Sequence, residues 1–201
     1  MTIQTCFFDM GNVLVHFSHD RMVRNIAELC RLSPEKVKTF LMDEGRQWAM
    51  ERGEFSEEQF QQEISAFCGH SIDIDPLRHA VADIFWLNDS ILPVLHQLKS
   101  AGKKLVLLSN TSITHLRFIE QRFSVLNLMD ERVTSFEVGA MKPDPRIFHA
   151  ALARADGPPQ SCFYTDDIEA YINQAQSMGI HSHLYRTTKQ LTAALQQSGT
   201  L

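Results

Sequence analysis

Short apolar runs of strand length recur along this chain, and helix-length segments separate them. Lys104-Leu105-Val106-Leu107-Leu108 is too apolar for a strand with one face in water and suits the buried middle of a parallel sheet. Ile3-Gln4-Thr5-Cys6-Phe7-Phe8 comes before it and stops at a turn signal, Asp9-Met10-Gly11-Asn12. Arg132-Val133-Thr134-Ser135, Ser161-Cys162-Phe163-Tyr164-Thr165 and Ile180-His181-Ser182-His183-Leu184 come after it. Helical patterns occupy the intervals, roughly 90–100, 114–123, 145–154 and 169–178, with a last one at 188–197. Strands alternating with helices imply right-handed βαβ units, so the expected class is α/β with a Rossmann-like, doubly wound parallel sheet.

Residues 18–88 break the alternation and read as helices only. Ser33-Pro34-Glu35 is an N-cap followed by proline at the first helical position, and Ser56-Glu57-Glu58-Gln59 is a capping box ahead of Phe60, Ile64 and Phe67. The expected organisation is therefore a core of residues 1–17 plus 89–201, with 18–88 inserted as an all-helical cap. A cap placed there covers the carboxyl end of the first strand, where open α/β sheets bind ligands.

Composition narrows the functional classes. A chain of 201 residues that is 44% hydrophobic, with net charge 19 − 24 = −5, buries a substantial core and is not disordered. The acidic balance argues against nucleic acid as a partner, and no window approaches the roughly 18 apolar residues that span a bilayer. Cys6, Cys30, Cys68 and Cys162 are scattered with no C-x-x-C pair, which reads as neither a zinc site nor a disulfide framework and suits a reducing cytoplasm. The expectation is a cytoplasmic monomer or weak dimer.

In a parallel sheet the residues just after each strand converge on one edge. Here these are Asp9, Ser109-Asn110-Thr111, Lys142, and the pair Asp166-Asp167. Each alone is an ordinary turn or cap residue. Together they place three carboxylates, a hydroxyl and one lysine in a single crevice. Carboxylates within ~4–6 Å disfavour one another's ionisation, and one lysine does not neutralise three. A hard divalent cation does, and an all-oxygen set suits magnesium (Mg2+) better than zinc. An ionised carboxylate at a strand end can then attack phosphorus while Ser109 and Lys142 hold the non-bridging oxygens.

Phe7-Phe8-Asp9-Met10-Gly11-Asn12-Val13-Leu14, Leu107-Leu108-Ser109-Asn110-Thr111, Met141-Lys142-Pro143-Asp144-Pro145 and Tyr164-Thr165-Asp166-Asp167 resemble, in order, the four motifs of the haloacid dehalogenase superfamily. The resemblance covers essentially the whole chain. Its first motif looks most like the branch containing sugar-1-phosphate phosphatases and the N-terminal phosphatase domain of soluble epoxide hydrolases.

The resemblance implies a magnesium-dependent phosphatase for a small phosphorylated metabolite. Asp9 would be the nucleophile, and Asp9, the Gly11 carbonyl and Asp166 the metal ligands. Asp167 would orient metal-bound water, Ser109 would bind phosphate, and Lys142 would bridge phosphate and nucleophile. Asn110 and Thr111 would add donors, with His16 on a flap after the first motif. Glu51-Arg52-Gly53-Glu54 reads as a charged turn between cap helices, either solvated or with Arg52 and Trp48 dipping toward the crevice to select substrate. One departure matters. Most phosphatases of the superfamily carry a second Asp two residues after the nucleophile as general acid, and here that position is Gly11. Glycine transfers no proton, so the expected consequence is a steep dependence of rate on leaving-group pKa. Two rivals remain at this stage. A hydrolytic dehalogenase needs no metal, which the acidic pair disfavours, and a regulatory protein on a weakened site has no chemical need for all five groups.

Overall fold

The computed structural model, which describes residues 2–201, begins with β1 (Thr5–Phe8) and β2 (Val15–Phe17). Five helices follow: α1 (His19–Cys30), α2 (Pro34–Lys38), α3 (Arg46–Glu51), α4 (Glu57–Cys68) and α5 (Ile74–Ala82). Next come β3 (Phe85–Leu87), α6 (Leu92–Ser100), β4 (Lys104–Ser109), α7 (Ile113–Arg122), β5 (Glu131–Thr134) and α8 (Ser135–Val138). The chain closes with α9 (Pro145–Leu152), β6 (Cys162–Asp166), α10 (Glu169–Ser177), β7 (His181–Leu184) and α11 (Thr188–Gln197).

The apolar runs assemble as one parallel sheet of order β5-β4-β1-β6-β7. Strand periodicity divides its side chains between two layers. Cys6, Phe8, Leu105, Leu107 and Phe163 face one side, against Leu95 and Leu98 of α6, Leu116 of α7 and Leu191 and Leu195 of α11. Phe7, Val106, Leu108 and Tyr164 face the other, against Ile147, Phe148 and Ala151 of α9 and Ile172 and Ala175 of α10. Every residue of β1 is buried, so the strand is covered on both faces, as doubly wound sheets require. From β1 the chain builds outward to β4 and β5, then returns to add β6 and β7 on the opposite side. That reversal opens a crevice at the carboxyl ends of β1 and β6, the place where such sheets take ligands.

Helices α1–α5 enclose a separate apolar cluster that includes Met22, Ile26, Leu41, Ile64, Leu77 and Val81. Their ends follow the sequence signals. The Ser56–Gln59 capping box is closed in both directions, and Gly69 ends α4 in the left-handed conformation at φ 75°. Two expectations need correction. Residues 18–88 are not all helical, because Phe85–Leu87 pairs antiparallel with Val15–Phe17 as a two-stranded ribbon. Three residues are too few for a periodic signal, and the pairing partner lies 70 residues upstream. The cysteines are not all free either. Cys30 and Cys68 form a disulfide between the last residues of α1 and α4, leaving Cys6 and Cys162 as buried thiols. The helical cluster brings those two helix ends together, a tertiary pairing that scattered spacing does not reveal. The cysteine argument for a reducing compartment falls with it. Among the described residues no helix is long and apolar enough to cross a membrane.

Candidate active site

The crevice gathers its charges by strand register. The Asp9 amide donates to the Thr165 carbonyl at 3.0 Å, which seats Asp9 beside the end of β6. Asp166 is the last residue of β6 and is fully buried. One carboxylate oxygen from each of Asp9, Asp166 and Asp167 lies within 4.8 Å of the others. Burial, then the charge of Asp166, pushes the Asp9 carboxyl up to about 7, with Lys142 acting in the opposite direction.

Lys142 is the hub of this cluster. Its Nζ donates to Asp9 Oδ1 at 2.7 Å, to Asp166 Oδ2 at 2.5 Å and to the Leu108 carbonyl at 3.0 Å, which uses all the donors an ammonium has. Burial works against its charge, yet Asp166 and Asp9 outweigh that and hold its pKa above the ordinary lysine value. The Tyr164 hydroxyl also donates to Asp166, and the Ile168 amide donates to Asp166 Oδ1 at 2.8 Å. One ammonium still faces three carboxylates. The excess negative charge on an all-oxygen donor set is what a hard divalent cation fits.

The loops around the cluster are fixed by side chains. Asn12 turns the chain at φ 55°, a conformation asparagine tolerates, and its Nδ2 donates to Asp167 Oδ2 at 3.0 Å. Gly11 has a packing reason. A Cβ there would lie 2.8 Å from Cε1 of Phe17, so the aromatic ring fills the space a side chain would need. Asn110 accepts from the Lys142 amide at 2.7 Å and donates to the Lys142 carbonyl at 3.1 Å. Its side chain thus clasps the backbone that carries the lysine. Ser109 is buried, with Oγ donating to the Asn110 carbonyl at 3.3 Å. Thr111 is buried as well, and its backbone N–H and carbonyl are both bonded to Ser135 Oγ of α8.

The outer residues are arranged differently from one another. His16 lies on β2, its ring 5.9 Å from that of Trp86 across the ribbon. Arg52 pairs with Glu54, at 2.5 Å from Nε, and Trp48 is 39% exposed beside His19. The buried charge of this turn is its neighbour Glu51, only 7% exposed, with Oε1 accepting from Gln47 Nε2 at 2.8 Å. Sequence reasoning passed over Glu51 because Glu51-Arg52-Gly53-Glu54 reads as a solvated charged turn. The available signal was the i, i+4 pairing of Gln47 with Glu51 on one helix face.

Known proteins resemble this chain to different extents. Phosphatase MT3486 of Mycobacterium tuberculosis is 30% identical over 93 residues, 46% of this chain and 43% of the relative, so the chain matches under half the length of that protein. D-ribitol-5-phosphate phosphatase of Bacteroides thetaiotaomicron is 22% identical over 188 residues, 90% of each chain. A crystal structure of a HAD family enzyme from Bacteroides thetaiotaomicron superposes with a TM-score of 0.82 at 24% identity, covering 92% of this chain and 95% of that one. That likeness establishes the shared fold, and the same enzyme has been solved in complex with magnesium and inorganic phosphate. Residues 3–179 match the family described as "Hydrolase: haloacid dehalogenase-like hydrolase", a span that runs from β1 through α10 and takes in each carboxylate of the crevice and its lysine. The chain belongs to the haloacid dehalogenase-like hydrolases.

Proposed function

We propose that the protein is a magnesium-dependent phosphatase of a small phosphorylated metabolite, with sugar and sugar-alcohol phosphates the favoured class. The observation that carries this reading is the cluster of Asp9, Asp166 and Asp167 around the fully bonded Lys142. The phosphatase and sugar-alcohol phosphate activities named for the two relatives support it.

Asp9 is the nucleophile in this reading, since Lys142 occupies only its Oδ1 and steers that carboxylate at the end of β1. Asp9, Asp166 and the Gly11 carbonyl would hold the metal, which when bound supplies the positive charge that a phosphate dianion needs beside three carboxylates. The Ser109 hydroxyl, with donors from the Asn110-Thr111 turn, receives the non-bridging oxygens. Lys142 keeps its charge in contact with the reacting oxygens, where charge grows in the transition state. Asp167, anchored by Asn12, orients water for the second half-reaction. Residues 18–88 act as a cap over the core of 1–17 plus 89–201, with His16 on the flap between them and the 47–54 segment facing the leaving group.

Metal removal tests the reading. Turnover of nitrophenyl phosphate is expected to vanish on exhaustive chelation and to return with added magnesium. Full activity in the chelated protein would contradict the assignment.

A further inference from the structure

The position that usually carries the acid of this reaction is Gly11, and the Phe17 ring fills the space beside it. A proton for the leaving oxygen must come from elsewhere or not at all. Among the described residues one carboxyl group besides Asp9 and Asp166 is deeply buried. Glu51, at the end of α3, is 7% exposed, and the field of Lys142 reaches it. Helix α3 packs on α8, and the turn after it fits tightly there: a Cβ on Gly53 would lie 2.5 Å from the Phe136 carbonyl. Ser135, the first residue of that short helix and the neighbour of Phe136, holds both backbone groups of Thr111. Glu51 thus ends the helix that packs on α8, and α8 in turn holds the turn that follows β4.

Its partner adds a second observation. Gln47 is fully buried, and while its Nε2 donates to Glu51, its Oε1 has no hydrogen-bond partner. A buried, unpaired acceptor is costly unless a donor arrives. A hydroxyl on the alcohol side of a substrate is such a donor. Apolar surroundings outweigh Gln47, Lys142 and Arg52, the groups that act on Glu51, and push its carboxyl up to about 7. A carboxyl in that range holds a proton at neutral pH and can release it.

We propose that Glu51 is the proton donor to the leaving group, taking the part of the carboxyl group missing at Gly11, and that Gln47 Oε1 accepts a hydroxyl of the departing alcohol. This rests on the phosphatase reading and deepens it. In the first half-reaction a bond forms between Asp9 and phosphorus, the phosphorus–oxygen bond to the alcohol breaks, and the Glu51 proton moves to the departing oxygen. That yields the free alcohol, an aspartyl-phosphate and the Glu51 carboxylate. In the second half-reaction water adds to phosphorus, its proton returns to Glu51, and Asp9 and inorganic phosphate are released. The steep leaving-group dependence expected from Gly11 alone is then removed by a residue of the helical segment. The substrate class narrows to phosphate esters of hydroxylated aliphatic alcohols, whose poor leaving groups need an acid.

A leaving-group series with magnesium present tests this: dinitrophenyl, nitrophenyl and phenyl phosphates, then a sugar-alcohol phosphate. Wild-type kcat/KM should vary little with leaving-group pKa. Glu51→Gln should keep dinitrophenyl phosphate turnover within about 3-fold and lose about 10²–10⁴-fold on the sugar-alcohol phosphate. Glutamine preserves the shape and the contact with Gln47, and turnover of the dinitrophenyl ester reports an intact fold. A steep slope in the wild-type protein overturns the proposal without reference to any variant. Equal loss across the series, or no loss, overturns it as well. Failure of the wild-type protein to hydrolyse any ester would overturn the phosphatase reading, and this proposal with it.

Discussion

Asp9→Asn should abolish phosphate-ester turnover, by about 10⁴-fold or more, in a protein that remains folded. Asparagine fills the same volume but carries no charge to attack phosphorus. The stability of the variant separates this from a structural effect. In the metal-free wild-type protein, burial and Asp166 raise the Asp9 carboxyl to about 7. A carboxyl raised above its unfolded value binds more protons in the native than in the unfolded state between about pH 4 and 7. Across that window, stability conferred by this group falls as pH rises. Asp9→Asn removes the penalty, so in chelator its melting temperature at pH 8 should equal or exceed that of the wild-type protein. A variant that was inactive and clearly less stable there would point to a structural role for Asp9.

Lys142→Met should fail in both respects. Methionine fits the length of the side chain but leaves Asp9 and Asp166 buried without a counter-charge, a loss of roughly 3–5 kcal/mol for such a broken buried pair. Activity should drop at least as steeply as for other transition-state charge contacts, about 10²–10³-fold. The distinguishing sign is its response to metal. Magnesium should raise the melting temperature of Lys142→Met more than that of the wild-type protein, because the cation replaces charge that the lysine otherwise supplies. An equal rise in both proteins would mean that the ammonium and the cation do not share these carboxylates.

The carboxylates were legible because they sit at or just past the ends of β1 and β6, and strands announce themselves locally by an apolar run, whereas helix α8 separates Lys142 from β5. Asp9, Ser109, Lys142 and Asp166 are separated by 100, 33 and 24 residues, and only the parallel sheet brings them together. What escaped the sequence is tertiary in origin. The reason for glycine at 11 is a ring six residues away that no pattern links to it. The Cys30–Cys68 bond and the β2–β3 ribbon pair segments whose meeting depends on how five helices pack. Asn110 reads from the sequence only as a donor to substrate, and its clasp on the Lys142 backbone, 32 residues away, is visible only in the fold. Glu51 and Arg52 are adjacent and equally charged in appearance, yet one is buried with Gln47 and the other pairs with Glu54 in solvent.

The central claim is that Asp9 is phosphorylated during turnover, and trapping that adduct tests it most directly. Acyl phosphates are reduced by borohydride to the alcohol, so quenching the enzyme in borohydride during steady-state hydrolysis converts a phosphorylated aspartate to homoserine. Peptide mass spectrometry should then find homoserine at position 9, dependent on magnesium and absent without substrate. Ongoing turnover with no homoserine at position 9, or with the modification at another carboxylate, would contradict the account.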